Sequence, residues 1–239
     1  IDPARGLLHL PSGPASLDDL TLAPPVSGAV YGALLNHRDA YAAVEPQMGA
    51  APYQAPPKAP VLYLKPANTR LGHGGHVPVP ETLEAVQVGA ALGLVIGRTA
   101  TRVSEAEALD YLQGYVILND VSEPHASVYR PAIRQRCRDG FCPIGPWVVD
   151  KAAIADPDAL ELRVKINGQV AAVANTRDLV RPVAKLLADV TEFMTLSPGD
   201  VLHVGVPGNA PLARVGDLVR IEIDGLGWLE NPLVMETAQ

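Results

Sequence analysis

Asn119-Asp120 follows the apolar run Tyr115 to Leu118, which puts a carboxylate at a strand end, a common way to build a site, although Asn-Asp equally starts turns. Nearby stand His125, Arg136, Arg138 and Asp139, and upstream Lys65 ends the run Val61 to Leu64. Such a set holds acid and base groups, and fixed cations able to stabilise an anionic intermediate. Each also has a structural reading: Arg138 and Asp139 as an ion pair or turn, and His125 as a surface histidine in the Ser122 to Ser127 loop. Lys65 then becomes a strand-end charge and His37 a loop polar group. Cys137 and Cys142, five positions apart in a loop, give no disulfide framework and read as reduced thiols. A two-thiolate metal site would need partners nearby; His73-Gly74-Gly75-His76 supplies imidazoles, but its glycines read as a mobile turn.

The elements that must position these groups are short. Twenty-three prolines and 21 glycines punctuate the apolar runs, which predicts a mostly β fold with a few helices, an α+β chain. Residues 1–28 read as an extended arm or small module before one domain over 29–239, and Met48 to Pro60 as a proline-rich loop. Ser104-Glu105-Ala106-Glu107 has capping-box spacing, predicting a helix through Leu112 that Gly114 can end. Asn167-Gly168 predicts a hairpin between Glu161–Ile166 and Gln169–Val173. Val183, Leu186, Leu187, Val190 and Phe193 recur at helical spacing, with Pro182 in the first turn. Val219, Ile221 and Ile223 alternate with charged residues as a half-buried strand.

At 48% hydrophobic content, 239 residues suffice for a buried core. No apolar run reaches the roughly 18 residues of a membrane helix, and no intact signal peptide is visible, so a cytoplasmic location is expected. A net charge of −7 without a basic block argues against nucleic acid or anionic membrane as partner.

Phrases in order along the chain resemble the fumarylacetoacetate hydrolase family: Tyr63-Leu64-Lys65-Pro66, Val95-Ile96-Gly97 before Val103-Ser104-Glu105, Gly114-Tyr115 leading to Asn119-Asp120, Arg138-Asp139-Gly140 before Cys142-Pro143, Asn167-Gly168, and Leu196 to Val201. The likeness spans about residues 30–235. Ala33 to His37, Tyr129 to Ile133 and Cys137 to Gly145 resemble in particular the N-terminal half, or separate first subunit, of the decarboxylase/isomerases of homoprotocatechuate (4-hydroxyphenylacetate) degradation. The resemblance implies a mixed β-roll, a homodimer or a heteromer with a paralogous subunit, and a Mg²⁺ or Mn²⁺ ion that polarises a small oxo- or hydroxy-diene carboxylate.

In the family a Glu-x-Glu pair and a later Asp hold that ion. Here the Glu positions fall on Gly89 and Ala91, and only Asp120 remains, as a vestigial ligand. Further positions implied by the resemblance also differ: Pro124 for an Arg, Arg136 for an active-site Lys, Val206 for a Thr, and Ala40 and Ala43 for a His/Glu proton-transfer pair. The expectation is a subunit that binds the metal weakly alone and works beside a metal-bearing partner. A metal-independent isomerase or hydrolase, resting on Asp120, His125, Arg136, Arg138 and Asp139, and a non-catalytic binding or structural paralogue are the alternatives. Restoring Glu at 89 and 91 is expected to raise metal affinity if the strand presents both positions towards Asp120.

Overall fold

A computed structural model describes Asp2 and residues 5–51, 54–125 and 132–236. Tyr129, Arg130 and Pro131 of the Tyr129 to Ile133 phrase lie outside the described residues. In chain order the strands are β1 (Leu7–Leu10), β2 (Gly13–Ser16), β3 (Val30–Leu34), β4 (Val61–Lys65), β5 (Arg70–Leu71), β6 (Val77–Val79), β7 (Val86–Gln87) and β8 (Ala90–Ile96). They continue with β9 (Leu112–Asn119), β10 (Cys142–Asp150), β11 (Glu161–Ile166), β12 (Gln169–Asn175), β13 (Val201–His203), β14 (Leu212–Ala213), β15 (Leu218–Ile223) and β16 (Gly227–Met235). The helices are α1 (Arg38–Met48), α2 (Ile133–Arg136) and α3 (Val183–Thr191).

Two mixed sheets dominate, one ordered β4-β3-β13-β8-β9-β10-β5 and the other β12-β11-β15-β16-β6. The mostly β architecture expected from the sequence is therefore the one found. Strand β8 is buried at every position, because its two faces meet different cores. Ala90, Leu92, Leu94 and Ile96 join the main core with Leu162, Val164, Ile221 and Leu229 of the second sheet. Ala91 and Val95 face the other way, into a smaller cluster with Val30, Val116, Leu118, Cys142, Ile144 and Val201. Period-two alternation thus sorts β8 and β9 between the two clusters, and the smaller one lies on the face of Ala91 and Leu118.

The hairpin turn at Asn167 (φ 52°) and Gly168 (φ 80°) forms as the dipeptide requires. In α3, Val183, Leu186, Leu187 and Val190 are buried as their spacing predicts, but Pro182 is the residue before the helix, and Phe193 lies past its end, 54% exposed. The Ser104 segment differs more. Residues Glu105–Tyr111 form a 3₁₀ helix, and the Ser104 hydroxyl donates to the Glu107 carboxylate at 2.6 Å instead of accepting from a backbone amide. Gly114 does not end a helix: it lies inside β9, where a Cβ would come within 2.0 Å of the Val149 carbonyl. Its role is the close approach of β9 and β10.

Before residue 29, β1 and β2 form a hairpin and Leu17 enters the main core. Asp18 accepts from Arg220 at 2.7 Å and from the Trp228 indole at 3.2 Å. No helix among the described residues is long and apolar enough to cross a membrane.

Candidate active site

Pairing of β8 with β9 sets Ala90 opposite Asn119 and Ala91 opposite Leu118. Beyond the ladder the Asp120 amide donates to the Gly89 carbonyl at 2.8 Å. Directly paired residues project to the same face, so positions 89, 91 and 120 share one side of the sheet, the side that the family resemblance requires. What gathers around Asp120 there is cationic. Lys65 Nζ lies 2.6 Å from Oδ1 and Arg136 Nη1 2.8 Å from Oδ2, and the Asp120 and Lys65 side chains are fully buried.

Two further groups complete the cluster. The Tyr63 hydroxyl donates to Asp120 Oδ2 and lies 3.1 Å from His203 Nε2. Tyr63 and Lys65 reach Asp120 from the edge strand β4 because the sheet curls and because β3 carries Gly32 between them. A Cβ at Gly32 would sit 2.3 Å from His203 Nε2 and 2.4 Å from the Tyr63 ring. The Arg136 guanidinium stacks on the same ring, 4.7 Å from its centroid.

The hydrogen bonds form a directed chain. Gly205 N–H donates to His203 Nδ1 at 3.3 Å, so Nε2 carries the proton and donates to the Tyr63 oxygen, whose own hydrogen goes to Asp120. Burial, then the nearby cations, push His203 down to about 4, the Asp120 charge opposing them. Burial alone would raise the Asp120 carboxyl, but Lys65 and Arg136 hold it well below the usual carboxylate range. Burial and Asp120 push the Tyr63 phenol well up.

A histidine whose folded pKa lies below its unfolded value contributes stability fully present above about 6.5 and lost as pH falls towards 4. The expected change across that window is about 3 kcal/mol. Urea titrations at pH 7 and pH 4.5 on the protein and on His203→Gln measure it. A variant with an undiminished slope would show that His203 is not its source.

Of the residues predicted from sequence, Asp120, Lys65 and Arg136 come together. Arg138 instead pairs with Glu123 at 2.5 Å, and Asp139 accepts from Asn68 at 2.7 Å, so both find partners other than Asp120. His125 is half-buried beside the segment 126–131. His37 precedes α1 and is buried, its Nε2 without a hydrogen-bond partner among the described residues, and burial lowers its pKa. Ala40 and Ala43 lie on α1. Cys142 is fully buried, which pushes its thiol up to about 12, and Cys137 is a second free thiol. Sequence reasoning missed Tyr63 and His203. The available signal was Tyr63 two residues from Lys65, hence on its face, and a histidine ending the apolar Val201-Leu202 pair.

These residues do not fit a divalent cation. One carboxylate is present, both its oxygens already face cations, and positions 89 and 91 offer no side-chain oxygen. Among the described residues no three His, Cys, Asp or Glu side chains converge on one point.

Residues 29–234 match the model of the fumarylacetoacetate (FAA) hydrolase C-terminal family. The chain belongs to this family. A 4-hydroxyphenylacetate degradation bifunctional isomerase/decarboxylase of Escherichia coli is 44% identical over 211 residues, which cover 88% of this chain and 48% of that protein. The chain thus spans about half the length of the curated relatives it matches. Among solved structures of the same fold, a 5-carboxymethyl-2-hydroxymuconate delta-isomerase from Mycobacterium smegmatis superposes with a TM-score of 0.79 at 30% identity, covering 100% of this chain and 93% of that one. A maleylpyruvate hydrolase from Sphingobium sp. SYK-6, in complex with manganese(II) and pyruvate, gives 0.75 at 26% identity, covering 94% and 78%. The FAA hydrolase family is therefore an enzyme family in which at least one relative binds manganese.

Proposed function

We propose that this chain is one half of a decarboxylase/isomerase acting on small oxo- or hydroxy-diene di- or tricarboxylates of aromatic catabolism, and that it works beside a paralogous, metal-bearing half. It holds no tight Mg²⁺ or Mn²⁺ site of its own. The observation that carries this reading is Asp120 clamped between Lys65 and Arg136, with Gly89 and Ala91 beside it. The bifunctional relatives of about twice the length support a two-half arrangement. The same reading makes the protein a dimer, as two like copies or with the paralogue.

Loss of carbon dioxide leaves a dienolate whose oxygen charge must be stabilised, and removing one preorganised electrostatic group commonly costs on the order of 100-fold to 1,000-fold in rate. The chain alone should fall short by at least that factor on 5-oxopent-3-ene-1,2,5-tricarboxylate and on the derived hydroxydienoate, compared with a mixture containing a paralogue that retains Glu-x-Glu. Calorimetry with Mn²⁺ should find no micromolar binding to the chain alone. A micromolar site would overturn the reading.

A second reading, turnover by this chain without a metal, has one observation in its favour. Arg136 is a fixed guanidinium whose side chain keeps 18% exposure beside Tyr63, within reach of a carboxylate ligand. Full turnover in excess chelator, abolished in Arg136→Ala, would establish it. No activity with any paralogue would leave a binding or structural role.

A further inference from the structure

The Lys65 ammonium is enclosed by four oxygens. The carbonyls of Val121, Arg136 and Phe141 lie at 2.8, 2.7 and 2.8 Å, and Asp120 Oδ1 at 2.6 Å. An ammonium has three hydrogens, and three carbonyls match them, so Oδ1 faces the nitrogen as an ion pair. The carbonyls come from three separate points of the chain: the exit of β9, the end of α2 and the entry to β10. One cation therefore closes the curled sheet from its β4 edge and fixes both ends of the excursion between Val121 and Arg136.

Oxygens 2.6 to 2.8 Å from the central atom are too distant for Mg²⁺, which requires about 2.0 to 2.1 Å, and four are too few for Ca²⁺. Carbonyl oxygens that replace a hydration shell suit a larger, singly charged cation. We propose that Lys65 is the resident cation of this centre: its ammonium gathers Asp120 and the three carbonyls, and the cage it fills, once emptied, binds small primary ammonium ions. It rests on the same Lys65–Asp120 contact as the proposed function, and its test reads the cage itself and not turnover, so each can fail without the other.

The test uses the full chain as Lys65→Ala and Lys65→Met, with n-propylammonium as probe, since it restores the three carbons and the ammonium that the alanine variant lacks. Both variants should lose on the order of 10 °C in Tm, from a buried carboxylate left with one of its two cations. Millimolar n-propylammonium chloride should return at least half of that loss to Lys65→Ala, saturably, while sodium chloride, 1-propanol and manganese chloride do not. Lys65→Met, whose side chain occupies the space of the lysine stem, should not respond. Recovery with manganese that exceeds recovery with n-propylammonium would overturn the proposal, as would a folded Lys65→Ala that n-propylammonium leaves unchanged, or a Lys65→Met as stable as the parent. Should Lys65→Ala fail to fold, nitrogen-detected NMR of the unmodified protein decides: slowly exchanging Lys65 ammonium protons at neutral pH support the cage, and rapid exchange refutes it.

Discussion

Asp120→Asn should lower the unfolding free energy by about 3 to 5 kcal/mol, because it leaves Lys65 and Arg136 as uncompensated cations in a buried centre. In a domain of this size that is a fall in Tm of about 6 to 20 °C. Calorimetric melting or urea denaturation measures it. The pH dependence carries a second signature. Asp120 has a folded pKa below its unfolded one, so its contribution is present above about pH 4 and is lost as pH falls through that value towards the depressed one. The Asn variant should show a shallower acid limb. Arg138→Ala is the internal control, because the Arg138–Glu123 pair is partly accessible, 26% and 12% for the two side chains, and should cost about 1 kcal/mol or less. If Asp120→Asn cost no more than Arg138→Ala, the two cations would not depend on Asp120.

The sequence carried the strands well because their signals are local. Alternation at Val219, Ile221 and Ile223 and the turn residues Asn167-Gly168 both act within a few positions, and both appear as read. Helix α1 was not legible: residues Ala40 to Gln47 are half-buried or exposed, so no apolar stripe marks them, and Pro46 lies inside the helix. At the site, Asp120 was readable as a strand-end carboxylate and Lys65 as a strand-end charge, but not their contact. Strand β4 stands four places from β9 in the sheet, and only curvature brings Tyr63 and Lys65 onto Asp120. That curvature leans on Gly32, whose missing side chain leaves room for Tyr63 against His203. A glycine in an apolar strand announces some close approach without saying which side chains make it. Register sets positions 89 and 91 on the Asp120 face, and family likeness aligned Arg136 with an active-site Lys, yet no local signal told that Arg136 and Lys65 would both close on the Asp120 carboxylate.

Those cations decide the outcome of putting the carboxylates back. Gly89→Glu with Ala91→Glu should unfold or severely destabilise the chain instead of creating a tight metal site, contrary to the expectation from sequence. At Gly89 a Cβ would lie 2.5 Å from the Asp120 carbonyl and 3.0 Å from Val206 Cγ2, and relieving such overpacking costs about 1 to 3 kcal/mol before any charge is added. Ala91 is fully buried among Val95, Val116 and Leu118, where a carboxylate carries a desolvation cost of several kcal/mol. Lys65 and Arg136 would offset part of that cost, but a carboxylate bound to them is unavailable to Mn²⁺. Gly89→Ala isolates the steric share and should cost about 1 to 3 kcal/mol in urea titration. Adding Lys65→Met to the double variant removes the competing ammonium, so Mn²⁺ should stabilise the triple variant far more than the double one. A double variant as stable as the parent, binding Mn²⁺ at micromolar concentration with Lys65 in place, would show that the strand still keeps room for its ligands and that the two cations yield to a metal.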